Sequence, residues 1–141
     1  SANLNGSLIA KVGLDRGIEN EVNRLNRLGI LEVKLSRPDA FPKLDDQKSI
    51  IVLRMVQEML NNILKHSKAK TVSIDIAEES GFMRLNLKDD GIGFDVEAAM
   101  LKGGSGLLNL KDRANLIGAR LAIMSAPSEG ASITIETPTD S

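Results

Sequence analysis

Between Ile51 and Leu64 the chain carries Ile51, Val52, Leu53, Met55, Val56, Met59, Leu60, Ile63 and Leu64. On a helix these cover a little over half the circumference, while Arg54, Glu58, Asn61 and Lys65 fill the opposite arc. A helix this apolar is stable only when buried, so the fold has to be built around it. Asp45 or Asp46 is placed to cap its start. Asn62 and His66 fall where the polar arc gives way to the apolar one, flanked by Met55 and Met59. Half-buried amides and imidazoles need partners. Glu58 and Asn62 lie four apart, one turn from each other, and Lys65 follows three residues later. A carboxylate, an amide oxygen and an ammonium along one edge suit a metal–phosphate ligand. An amphipathic helix with a mixed polar face is the alternative.

The remaining pattern says what buries that helix. Upstream, Leu14, Ile18, Val22 and Leu25 form one narrow apolar stripe, which predicts a helix ended by Gly29. Residues 1–13 give a weak signal. They are expected to be a partly extended or frayed N-terminal extension, or at Ser1-Ala2-Asn3 a cloning remnant, with the folded domain spanning 14–141. Leu31, Val33 and Leu35 alternate with charged residues as a half-buried strand does, and Ser36–Asp46, with Pro38 and Pro42, reads as a loop. Beyond the central helix, Val72–Ile74–Ile76 and Met83–Leu85–Leu87 predict two strands joined by a hairpin turn at Glu78–Gly81. Leu121 with Ile123, then Ile133 with Ile135, predict two more. Between the pairs lie a short segment around Val96–Leu101, a glycine-rich passage and a helix from about Gly106 to Ile117, closed by Gly118. The sum is an α+β fold: a two-layer α/β sandwich of about five strands, helices on one face and water on the other.

Two turns look chemical. The phase Met83–Leu85–Leu87 puts Asp89 next on the core side, where a carboxylate needs a donor to accept from. Asp90-Gly91-Ile92-Gly93 follows, and its glycines let the backbone turn sharply and leave room for something flat. An exocyclic amine, as on adenine, would satisfy Asp89; an ordinary Asp-Gly turn with its acid in solvent is the alternative. The second cluster, Lys102-Gly103-Gly104-Ser105-Gly106, opens directly into the last helix, and helix N-termini bind phosphate. It is neither a Walker A loop nor a Rossmann fingerprint, and a flexible lid without a ligand is its alternative.

Composition narrows the classes. A net charge of −1 and a pI of about 5.9 give no footprint for nucleic acid or anionic membrane. With no Trp or Tyr and three Phe, stacking platforms are lacking. No cysteine and a single histidine exclude thiolate chemistry and a His-rich metal site. Neither a membrane-span-length apolar run nor a signal-peptide pattern is present, so a cytoplasmic domain without membrane contact of its own is expected.

In order, then, come a metal–phosphate edge, a base pocket and a phosphate cradle. From about Leu14 onward the chain resembles the GHKL (Bergerat-fold) ATP-binding domain, and within it the catalytic domain of sensor histidine kinases of the nitrate- and lipid-sensor subgroup. EMLNNILKH resembles that subgroup's N box, DDGIGF its first Gly box and GSGLLNLKDRANLIGARL its second. The resemblance implies ATP and Mg²⁺ as ligands, with Asn62 coordinating the metal and Lys65 and His66 meeting the phosphates. It implies that Asp89 accepts from the adenine amine, with Gly91 and Gly93 shaping the pocket. Gly104, Ser105, Gly106 and the Leu107 amide would hold phosphate oxygens under a lid of about residues 95–105. Glu58 stands where GHKL ATPases keep a catalytic base. Many relatives have Gly-Thr where this chain has Gly130-Ala131-Ser132, so the hydroxyl is expected from Ser132 or water. The only histidine, His66, lies inside the nucleotide motif. The implied partners are therefore a histidine-bearing dimerisation domain of the same kinase and a response regulator. A GHKL-type ATPase or protein-serine kinase, or a non-catalytic nucleotide-binding interaction module, are the alternatives.

Overall fold

The computed structural model describes the backbone of residues 2–102 and 106–140, and the side chains of 13–101 and 106–140. Its elements run α1 (Ala2–Leu28), β1 (Glu32–Ser36), α2 (Asp46–Asn62), a π-helical turn (Ile63–Ser67), β2 (Thr71–Glu79), β3 (Phe82–Asp89), α3 (Val96–Lys102), α4 (Leu107–Leu116), β4 (Arg120–Ser125) and β5 (Ala131–Pro138). The strands form one mixed sheet in the order β1-β2-β3-β5-β4. β1 lies parallel to β2 and every other pair is antiparallel.

Alternation fixes which face each strand buries. Val72, Ile74 and Ile76, Met83, Leu85 and Leu87, and Ile133 and Ile135 all turn inward. They pack with Val52, Met55, Val56, Met59 and Leu60 of α2, which are at most 1% exposed, in one continuous core. Asp45 caps α2 by accepting from Lys48 N at 2.8 Å. The β2–β3 hairpin turns at Ser80 and Gly81, both at positive φ as a two-residue turn of the right hand requires. Leu14, Ile18, Val22 and Leu25 of α1 join the core, and Asn26 closes the sheet's first edge. Its amide accepts from Val33 N at 2.7 Å and donates to Val33 O at 3.0 Å, standing in for a neighbouring strand.

Two expectations need correction. Residues 2–12 are helical rather than extended, because α1 begins at Ala2 and breaks at Gly13 (φ 83, ψ 165). α2 does not stay α-helical to His66 but changes to a π-turn at Ile63. The short segment around Val96–Leu101, left without a type in the sequence, is a helix of its own, α3. Among the described residues no helix is long and apolar enough to cross a membrane.

Candidate nucleotide site

Where β3 leaves the sheet, a cavity of about 480 Å³ opens between the sheet, the end of α2 and the start of α4. Its walls are apolar: Ile63, Leu87, Ile92, Phe94, Leu107 and Ile133 among them. Asp89, Asn62, His66 and Ser67 supply the polar groups. This is the usual make-up of a small-molecule site.

Asp89 ends β3 and is only 5% exposed, as the strand phase predicts. Its Oδ1 accepts from Gly91 N at 2.7 Å. Burial raises the carboxyl pKa above its ordinary value, the Gly91 bond pulls it back in part, and the neighbouring Asp90 charge adds to the rise. Asp90 behaves oppositely. It is exposed, and its Oδ1 accepts from Thr71 N at 3.0 Å and Lys70 N at 2.9 Å, which lowers its pKa. The DD pair thus divides its work, one acid facing the cavity and the other fastening the start of β2.

For Asp90 the sign of the pH effect follows directly. A carboxyl held below its ordinary 3.8 in the native state stabilises the fold above that pH, and the contribution is lost as pH falls through the native value. Asp90→Ala is expected to lower the urea midpoint at pH 7, with the gap to wild type closing as the pH drops below about 3.8. Equal gaps at pH 7 and pH 3 would contradict this role.

The glycines bring the motifs together. A Cβ at Gly91 would overlap Ser67 O and lie 2.8 Å from Asp89 Oδ1. Ser67 in turn fastens the π-turn: its hydroxyl donates to Ile63 O at 2.9 Å, and its carbonyl accepts from Ile92 N at 2.7 Å. Gly106 precedes α4 at φ 83. A Cβ there would stand 2.5 Å from Glu58 Oε1 and 2.6 Å from Asn62 Nδ2. The last helix therefore starts directly against the polar edge of α2.

Of the residues singled out in the sequence, Asn62, His66, Asp89, Gly93 and Leu107 line the cavity. Glu58 and Gly106 are close neighbours beside the wall residue Asn62, and Gly91 lies against Asp89. Lys65 is exposed and forms no part of the wall. Gly104 and Ser105 lie outside the described residues. The expectation that Ser132 offers its hydroxyl to the pocket is corrected. Alternation along β5 turns Ala131 and Ile133 to the cavity and Ser132 to the other face, where Ser132 Oγ accepts from Asn86 Nδ2 at 3.0 Å. Ser67, Ile92 and Phe94 are wall residues that the motifs alone do not single out, and Ala131, marked in the sequence only as a departure from Gly-Thr, joins them. A trace of them is legible, since Ile92 sits between two glycines and Ser67 ends the helix.

Residues 47–141 match the model of the family described as Histidine kinase-, DNA gyrase B-, and HSP90-like ATPase. The chain belongs to this family.

The ATPase-family domain is 38% identical over 96 residues to an uncharacterized sensor-like histidine kinase of Chloroflexus aurantiacus, covering 64% of this chain and 16% of that protein. It is 34% identical over 104 residues to the signal transduction histidine-protein kinase/phosphatase DegS of Brevibacillus brevis, covering 74% of this chain and 26% of that protein. The domain thus spans about a quarter or less of these relatives. Its fold is that of the ATP binding domain of PrrB from Mycobacterium tuberculosis, with a TM-score of 0.70 and 21% identity over 91% of this chain and 92% of that one. The blue-light activated histidine kinase of Erythrobacter litoralis shares it too, with a TM-score of 0.73 and 20% identity over 86% of this chain and 40% of that one. The five-stranded mixed sheet with its helices is the Bergerat fold.

The donor set fits Mg²⁺ carried by a phosphate ligand. Among the described residues no group of three or more His, Asp or Glu could cage a metal alone. Mg²⁺ is typically held by one or two protein oxygens plus substrate phosphates, and Glu58 and Asn62, both beside Gly106, are one carboxylate and one amide that fit that need.

Proposed function

We propose that this domain binds Mg–ATP and donates the γ-phosphoryl group to a histidine on a dimerisation domain of the same kinase, which then supplies a response regulator. The observation that carries this reading is a nearly buried carboxylate, Asp89, in an apolar cavity whose polar side chains Asn62 and His66 stand toward the end of α2. Asp89 accepts from the exocyclic amine of adenine, while Leu87, Ile92, Phe94 and Ile133 enclose the base. Asn62 offers its amide oxygen to the metal. We assign Lys65 to the phosphates from the motif, together with His66 and the N-terminal turn of α4 that begins at Gly106 and Leu107. We assign Gly104 and Ser105 to the same cradle from the motif. Mg²⁺, when bound, neutralises phosphate charge. Phosphoryl transfer needs mainly placement and charge neutralisation, which this arrangement supplies.

The motifs EMLNNILKH and DDGIGF support membership of the nitrate- and lipid-sensor subgroup. Glu58, held against Gly106 and Asn62, supports a second reading in which the same site slowly hydrolyses ATP with Glu58 as base. Release of phosphate without an acceptor, abolished in Glu58→Gln, would select it.

Titration calorimetry tests the shared premise. Micromolar-to-millimolar binding of ADP or ATP is expected, weakened by chelating Mg²⁺ with EDTA. The chain alone should not label itself with radioactive phosphate, and a supplied histidine-bearing dimerisation domain should become labelled. Absence of nucleotide binding overturns the proposal, and an acid-labile phosphate on His66 overturns its assignment to the phosphate path.

A further inference from the structure

Asp89 lies in a cross-strand row whose members face the same side of the sheet. Its direct partners are Val72 on β2 and Ala131 on β5. Such neighbours have Cβ atoms about 5 Å apart, so their bulk decides how much room surrounds the carboxylate. The two sides differ. Val72 is fully buried and forms no part of the cavity wall, whereas Ala131 lines the cavity with a single methyl group. The residue after it, Ser132, turns away and is held by Asn86, so on β5 only the Ala131 methyl stands directly beside Asp89, with Ile133 the next side chain along the wall. Of the two cross-strand neighbours of Asp89, therefore, only Ala131 borders the cavity.

We infer that Ala131 is a specificity-determining residue, and that the pocket accepts adenine nucleotides carrying one substituent on the exocyclic nitrogen. A secondary amine keeps one N–H for Asp89 and lays its substituent over Ala131. A tertiary amine has no N–H left, so it leaves the buried carboxylate with the Gly91 amide alone and no donor from the ligand, and is rejected. This rests on the adenine reading of the site given above. It adds a direction to it: tolerance toward β5 and none toward β2.

The test is calorimetric competition with ADP, N6-methyl-ADP and N6,N6-dimethyl-ADP, on wild type and on Ala131→Val and Ala131→Ile. In wild type, N6-methyl-ADP is expected to bind within about threefold of ADP, and the dimethyl analogue at least about tenfold more weakly, the scale of one lost hydrogen bond to a charged group. In the variants the ratio of N6-methyl-ADP to ADP affinity should fall by about tenfold or more, as a blocked methyl pocket produces. The ratio is read whatever happens to ADP itself. Failure of wild type to bind ADP would overturn the adenine reading and this inference with it. Normal ADP binding with N6-methyl-ADP rejected, with the two analogues bound equally, or with an unchanged ratio in variants that still bind ADP, would overturn this inference alone.

Discussion

Asp89→Asn is expected to weaken adenine-nucleotide binding by at least about 100-fold while leaving the empty domain as stable as wild type or more so. The loss follows from the geometry around one oxygen. Gly91 N donates to Oδ1 at 2.7 Å, so an asparagine must present its own oxygen to Gly91 and turn its NH₂ toward the ligand. An amine donor would then face an amide donor. A charge-assisted bond is replaced by a repulsive contact in an apolar cavity, where neither group can turn to water.

The stability half of this prediction has a sign that can be worked out. Asp89 has a native pKa above its ordinary 3.8, chiefly through burial. Between those values the folded chain binds more protons than the unfolded one, so stability falls as pH rises through the window and stays lower above it. Asparagine carries no charge and escapes that penalty. Urea midpoints at pH 7 and calorimetry with Mg–ADP on the same variant would check both halves. A variant that loses binding because it unfolds would refute the separation, and one that binds ADP normally would refute the role of Asp89.

The fold was legible because burial here follows periodicity. The inward phases of β2, β3 and β5 match the structure residue by residue, and so does the apolar face of the central helix except at Ile51 and, in the π-turn, Leu64, which are half-buried. Asp89 was legible for the same reason, since a charged residue on the buried phase of a strand demands a partner. Ala131 was harder. The sequence marks it only as a departure from Gly-Thr, and its weight comes from standing opposite Asp89, a fact of register between strands 42 positions apart in sequence. The split between Asp89 and Asp90 was also hidden, because only the tertiary position of the Lys70 and Thr71 amides gives Asp90 its donors. Local pattern reports which face a residue takes. It does not report what lies across from it.

The same limit applies to Gly93, which the sequence presents as a turn glycine and the structure presents as the center of a clasp. Ser128 N donates to Ile92 O. Phe94 N donates to Ser125 Oγ at 3.0 Å, and that hydroxyl donates to Gly130 O at 2.7 Å. These bonds strap the Gly91–Phe94 turn to the β4–β5 connection and set Ile92 and Phe94 in the cavity wall. Gly93 sits inside at φ 68, where a Cβ would overlap Ala126 O and approach Gly130 O to 2.9 Å. Both obstacles are backbone, and one of them is the acceptor that holds Ser125. Gly93→Ala is therefore expected to cost about 3 kcal/mol, from the left-handed conformation together with the forced shift of the clasp, and to lose nucleotide binding in whatever remains folded. Gly118 isolates the first contribution. It has φ 65 and nothing within 4 Å of an added Cβ, so Gly118→Ala should cost only about 1–2 kcal/mol and leave ADP binding unchanged. Equal destabilisation of the two variants in urea would show that the clasp can open without consequence. A larger loss for Gly93→Ala, together with loss of binding, would tie the cavity wall to the β4–β5 turn rather than to the glycine motif alone.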